Sequence, residues 1–279
     1  MSLALCLLAP PGLSAPPGEG VAAAIAEGDA HYAGRAEGAQ GDVAQPGPVE
    51  AALQAYRRAV AADPQDLEAL YKLLRALHFR GAFCGASAPE QKSIFEEGKS
   101  LGQAAVDRLE KRAGGAKGAA RADALRPVPH AADVYYWTAA LWGQWALARG
   151  KLAAARAGVG GRVLHLAQTV LALDPQLDEG GADRILGRLH DETPKIPLIT
   201  GWVSKREALE HLRRSYAIGP RNSVTQFFLA EAILDHEPEK KEEARQLFTL
   251  CATSAPRSEY LVEDAHYAAL ARARLAELK

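Results

Sequence analysis

One spacing constrains this chain more than anything else in it. Four times, residues separated by 4, 3 and 5 positions run from a small or apolar residue, through a second on the same face, to a third, and end at proline. The copies are Ala52, Tyr56, Ala59, Pro64; Val163, Ala167, Val170, Pro175; Ala208, Leu212, Ser215, Pro220; and Ala244, Phe248, Cys251, Pro256. Offsets of three and four lie on one face of an α-helix, and proline, which lacks an N–H and clashes with the preceding turn, ends it. Small side chains let an antiparallel neighbour come close, while the bulkier one fills the gap to the next pair. A hairpin of two such helices cannot bury its apolar face alone, so several must stack. The prolines at 64, 175, 220 and 256 are 111, 45 and 36 residues apart. The last gap is close to one repeat of roughly 34 residues, the middle one holds a repeat with an insertion, and the first has room for two or three.

This device resembles the second helix of a tetratricopeptide repeat. The resemblance implies an all-α chain folded as a right-handed superhelix of about five helical hairpins plus a C-terminal capping helix. Composition agrees: 48% of the 279 residues are apolar and 24% charged, enough to bury a sizeable core. A formal net charge of −1 leaves no basic surplus to neutralise phosphates, which argues against nucleic acid as a partner.

Residues 1–20 read as a signal-like or disordered segment. Leu3 to Leu8 are apolar and small residues follow, as in an export signal, but the basic stretch that ordinarily precedes one is missing. Cys6 invites comparison with a lipid-anchor site, although Leu5 stands where such sites need a small residue. Residues 21–279 form the repeat domain. Helices are expected over 21–33, 49–62, 67–83 and 88–112, with Asp66 capping the third and residues 114–129 an exposed linker or insertion without stripe or cap. Further helices follow from Asp133, over 161–173, from Asp178, up to Pro220, from a Ser223 cap, and over 259–278. Leu261, Ala265, Ala268, Leu270 and Leu275 are expected to face the body. Cys84 and Cys251 read as free, half-buried thiols, with pairing as the alternative for an exported protein.

Residues 135–252 carry a second, sharper likeness. Tyr-Tyr-Trp-x-Ala-x-x-x-Gly-x-Trp-Ala, then Gly-Gly-Ala-Asp-Arg-Ile-Leu-Gly-Arg-Leu, a proline loop, Lys-x-x-Ala-x-x-His-Leu and Leu-Ala-Glu-Ala-Ile-Leu resemble the T-component proteins of tripartite ATP-independent periplasmic transporters. The resemblance implies an exported, periplasmic or envelope-located binding protein. Its partner would be a periplasmic solute-binding protein, with a small organic or apolar ligand and a homo-oligomer as further expectations. No cofactor is implied. The alternative is a generic scaffold holding a peptide or protein in its concave groove.

The same pattern nominates binding residues. Trp137, Ala140, Gln144 and Leu147 should face the inner surface, while Ala139, Trp142 and Ala146 pack on a partner helix. Trp137, Trp142 and Trp145 either line an apolar cavity or belong to the core. Arg184 and Arg188 also point inward; Arg184 either takes a carboxylate from a ligand or partner, or pairs with Asp178, Glu179 or Asp183. Trp202 is either a staple on the helix it precedes or an exposed hot spot. Phe227 and Glu231 complete the inner set. Catalysis finds little support. No His pair has the spacing of a zinc hydrolase, His190-Asp191-Glu192 at a helix end reads as solvated, the glycines at 158, 160 and 161 follow no strand, and Ser87 and Ser204 lack nucleophile-elbow context.

Overall fold

In a computed structural model, which describes residues 17–195 and 200–278, every regular element is helical; an isolated bridge, Gln40 to Val43, is the one extended pairing among the described residues. The signal-like reading of residues 1–16, with Cys6, lies outside the described residues, as do positions 196–199 of the proline loop. Five hairpins follow one another. They are α1 (Pro17–Ala33) with α2 (Pro46–Ala62), and α3 (Leu67–Phe83) with α4 (Ala88–Arg112). After a short α5 (Gly118–Leu125) come α6 (Ala131–Arg149), a six-residue α7 (Lys151–Arg156) and α8 (Val159–Leu173). The last two are α9 (Leu177–Glu192) with α10 (Lys205–Ile218) and α11 (Ser223–His236) with α12 (Lys241–Thr253), and α13 (Leu261–Glu277) closes the chain.

The repeated spacing does the packing expected of it. All twelve of its helical positions, on α2, α8, α10 and α12, are at most 4% exposed. The gap of 111 residues holds two hairpins, because the second helix of the second hairpin uses a different version of the device. In α4 the same offsets fall on Gly98, Gly102 and Ala105, with no proline after them. A Cβ on Gly98 would meet the Leu141 side chain at 2.8 Å, and one on Gly102 would meet Thr138 at 2.4 Å. The α4 backbone therefore lies directly on α6, and the helix runs on to Arg112.

Asp66 caps α3 by accepting from the Ala69 N–H at 2.8 Å, and Ser204 caps α10 in the same way. Such a cap is worth about 1 kcal/mol. The cap of α11 is Asn222, whose side chain accepts from the Thr225 N–H; Ser223, expected in that role, lies inside the helix and donates instead to Asp264 at 2.6 Å.

Three expectations about elements need correction. Residues 114–129 contain α5, whose Ala122 and Leu125 are buried while Arg121 reaches Thr169 on α8; two apolar positions one turn apart are too few to register as a stripe. The buried face of α13 is Val262, Asp264, Ala268 and Ala271, with Leu261 and Leu270 exposed. Asp264 sets that rotation, since it accepts from Ser223 and from Arg257 at 2.8 Å and could not face solvent without stranding both. Cys84 and Cys251 are buried and unpaired; they sit in separate parts of the core, with burial raising their thiols to about 11 and about 12.

Candidate functional site

The first helix of each hairpin, together with α13, lines the inner side of the superhelix. That inner side falls into a locked half and a half that remains reachable.

The locked half is built on an unusual turn. Asp178, Glu179 and Gly180 have φ of 50°, 56° and 77°, a left-handed conformation that costs a non-glycine residue about 1–2 kcal/mol. The regular part of α9 starts after them, later than the expected start at Asp178. Polar partners fix the turn. The Tyr136 hydroxyl donates to the Asp178 carboxylate at 2.5 Å, and Arg184 donates to that carboxylate, to the Asp178 carbonyl at 3.2 Å, to the Tyr136 oxygen at 2.9 Å and to Thr225 at 3.3 Å. Glu179 accepts from Asn222 at 2.7 Å and from Arg257. Burial alone would lower the Arg184 pKa, but Tyr136 and Asp178 outweigh it and the net shift is upward.

Glycine is required twice here: a Cβ at Gly180 would lie 3.0 Å from the Ser215 Cα, and one at Gly181 would lie 2.6 Å from the Tyr136 ring. The Gly-Gly-x-x-Arg segment thus has a complete structural task. Arg184, 5% exposed, takes the ion-pair alternative with Asp178.

The other residues of this half are also engaged. Arg188 pairs with Asp191 at 2.8 Å and Glu192 at 2.5 Å, and lies over the Phe228 ring. Phe227 packs on Phe248 and on Tyr267 of α13, and Glu231 accepts from Arg274 of α13 at 2.7 Å. Both do point inward, but α13 covers them. Trp202 is half-buried, edge-on to His190 of α9 at 5.3 Å and beside Gly160 of α8, so it packs on two earlier helices and is neither an exposed hot spot nor a staple on α10. His190, Asp191 and Glu192 diverge to different partners: His190 accepts from the Ser204 N–H, Asp191 meets His236 at 2.9 Å, and Glu192 meets Arg188. Among the described residues no group of three or more His, Cys, Asp or Glu is placed to hold a metal ion.

The reachable half lies between α3 and α6. Tyr71, Arg75 and His78 share one face of α3, with His130, the residue before α6, at 5.0 Å from Tyr71 and Trp137 of α6 at 5.5 Å from His78 between ring centres. All of these side chains are half-buried, and burial pushes His78 down to about 4, so it is neutral at physiological pH. Beyond Trp137 the α6 stripe continues through Ala140 and Gln144, both half-buried, to Leu147, which is 73% exposed. Leu152, on α7, is 65% exposed. Trp142 and Trp145 leave this face: they sit between α4 and α8, the Trp142 indole donating to Gln103 at 3.1 Å and that of Trp145 to Glu96 at 2.6 Å. Sequence reasoning missed Tyr71, Arg75 and His78, whose i, i+4, i+7 spacing was hidden among the leucines of α3.

A separate open hollow of about 540 Å³ at the edge of the first hairpin is lined by Val21, Ile25, Asp29, Asp63, Asp66 and Glu68. Three of its carboxylates are committed, Asp29 and Glu68 to Lys72 at 2.7 Å and Asp66 to its cap. No helix among the described residues is long and apolar enough to cross a membrane.

No family model matches the chain, and no curated protein matches it. Among solved structures it is similar to a thermophilic TPR protein of Thermus thermophilus, with a TM-score of 0.54 and 16% identity over 92% of this chain and 97% of that one. The likeness shows the fold: a tetratricopeptide-like helical-repeat superhelix.

Proposed function

We propose that this chain is a non-catalytic scaffold that docks a partner protein along the α6 stripe of Trp137, Ala140, Gln144 and Leu147, continued by Leu152. One observation carries the reading. Exposure rises along the stripe until Leu147 and Leu152 stand 73% and 65% open to water, while the inner side at α9 and α11 is occupied by its own ion pairs and by α13. Burying two such leucines against a partner is favourable by about 1.5–3 kcal/mol each, and the adjoining tryptophan is of the type that anchors interfaces. Affinity capture with chemical cross-linking in cells that express the protein tests this. A partner protein should be recovered with the wild type and lost with Leu147→Asp/Leu152→Asp, whose circular dichroism should be unchanged because neither side chain is buried. Equal recovery by both forms would sink the assignment.

A second reading, an accessory T-component of a periplasmic solute transporter contacting a solute-binding protein in the envelope, draws its support from the sequence likeness of residues 135–252. The Gly-Gly-x-x-Arg part of that likeness is accounted for by the Asp178 turn, which leaves the scaffold reading the stronger. Identification of the captured protein as a solute-binding protein would reverse that order.

A further inference from the structure

From Val134 to Leu173 the chain holds no aspartate or glutamate, although 34 of its 279 residues are acidic. The cations in that stretch are Arg149, Lys151, Arg156 and Arg162, all exposed, and they gather where α6, α7 and α8 meet. They border the two exposed leucines. Arg149 stands two residues after Leu147, Lys151 precedes Leu152, and Arg156 follows Leu152 by one turn on the same face of α7. The acids of neighbouring helices do not balance them. Glu96 of α4 takes Arg149 at 3.3 Å but also Lys99 and the Trp145 indole. Glu192, at the end of α9, is taken by Arg188 at 2.5 Å. Arg162 lies over the Trp142 ring at 4.9 Å, and Lys151 and Arg156 have no carboxylate partner among the described residues.

Unbalanced cations beside exposed apolar side chains are complementary to one kind of surface, apolar and anionic, and such complementarity selects the partner and speeds its encounter. The stripe beside them runs about 15 Å from Trp137 to Leu147, close to three turns of a helix. A strand could not pair here, because α6, α7 and α8 use their backbone groups within helices and offer no sheet edge. A helix laid along the stripe needs no such edge. A bilayer fits poorly: the stripe begins at half-buried Trp137, inside the curve of the superhelix, where a flat headgroup layer cannot follow, and α7 has only six residues to lie on one.

We infer that the element docking on the α6 stripe, which rests on the docking reading above, is a short acidic amphipathic helix of a partner protein. Its apolar face covers Leu147 and Leu152, and its carboxylates meet Arg149, Lys151 and Arg156.

The test titrates the full chain, by fluorescence anisotropy, into two labelled peptides of about 14 residues with leucines at i, i+3, i+4 and i+7, one with glutamates flanking them and one with glutamines. At low ionic strength the glutamate peptide should bind about tenfold more tightly, a margin that several exposed ion pairs reach together, and added salt should shrink it. Lys151→Gln/Arg156→Gln should remove most of the margin and leave the glutamine peptide's affinity unchanged. Leu147→Ser/Leu152→Ser, which keeps the cations, should weaken both peptides. All four positions are exposed, and circular dichroism establishes that the variants are folded. Peptides that bind equally well and are both lost with the leucines would overturn the inference while the docking reading stands; leucine changes without effect on either peptide would sink the two together. Binding of neither peptide, or a margin that survives the loss of Lys151 and Arg156, would also overturn it. So would displacement of the glutamate peptide by phosphatidylglycerol vesicles but not by phosphatidylcholine ones, in favour of a membrane.

Discussion

His78 illustrates what one side chain on the inner face contributes. It lies between Phe83 and Trp137, and burial holds its imidazole at about 4 against roughly 6.5 for a free histidine. Above pH 6.5 both folded and unfolded chains carry it neutral, so it has no effect on stability. Between about 6.5 and 4 the unfolded chain takes up a proton that the folded chain refuses, and stability falls. A shift of that size corresponds to about 3 kcal/mol. Asp133, Glu263 and Asp191, whose carboxyls are raised by burial, titrate with the opposite sign, so the wild-type profile alone would not isolate the histidine. His78→Phe should flatten the loss between pH 6.5 and 4 in urea unfolding, by about that amount; a profile parallel to wild type would show that His78 is not desolvated. Of the residues nominated from sequence, Trp137 and Gln144 lie on the reachable stripe. Arg184, Arg188, Trp202, Phe227 and Glu231 are held by neighbours, most of them distant in the chain. Nothing in the local pattern around Arg184 says that Tyr136, 48 positions earlier, and Thr225, 41 later, will saturate it.

At the scale of elements, the sequence was legible wherever a helix carried its own stop signal. Helices α3 and α4 have the boundaries expected for them, and each proline-terminated helix buries the face expected of it. It was not legible where contact replaced signal. Helix α4 keeps the 4 and 3 offsets with Gly98, Gly102 and Ala105, and their meaning emerges only beside α6. On an isolated helix Gly102→Ala would gain about 1 kcal/mol. Here the new Cβ would sit 2.4 Å from the Thr138 hydroxyl and 3.1 Å from its Cβ, so no rotation of that stiff side chain relieves it. Gly102→Ala is therefore expected to destabilise by about 1–3 kcal/mol, and Thr138→Ala added to it should cost less than the sum of the two. Chemical denaturation of the four-member cycle checks this, and additivity within about 0.5 kcal/mol would mean that the helices do not touch there.

For the whole molecule, the deciding feature is that α13 does more than cap the array. It contributes Val262 to the core shared by α1 to α9 and Ala271 to the core of α10 to α12, and it reaches the first hairpin through Glu263 and His266. Arg35→Glu would set two carboxylates against each other at that closure. Hydrogen exchange over 261–277 should then speed up by about tenfold or more while α12 stays protected; unchanged exchange would show that the closure carries no energy. The class of fold and the packing faces of the proline-terminated helices were determined by the sequence alone, because the offset of small residues and the stop at proline act within a few turns of one helix. Only the tertiary structure decided which inner residues stay within reach of a partner. That depends on how the superhelix curves back to bring Arg35 to Glu263, and curvature is a sum over all the hairpin contacts, written in no single stretch of the chain.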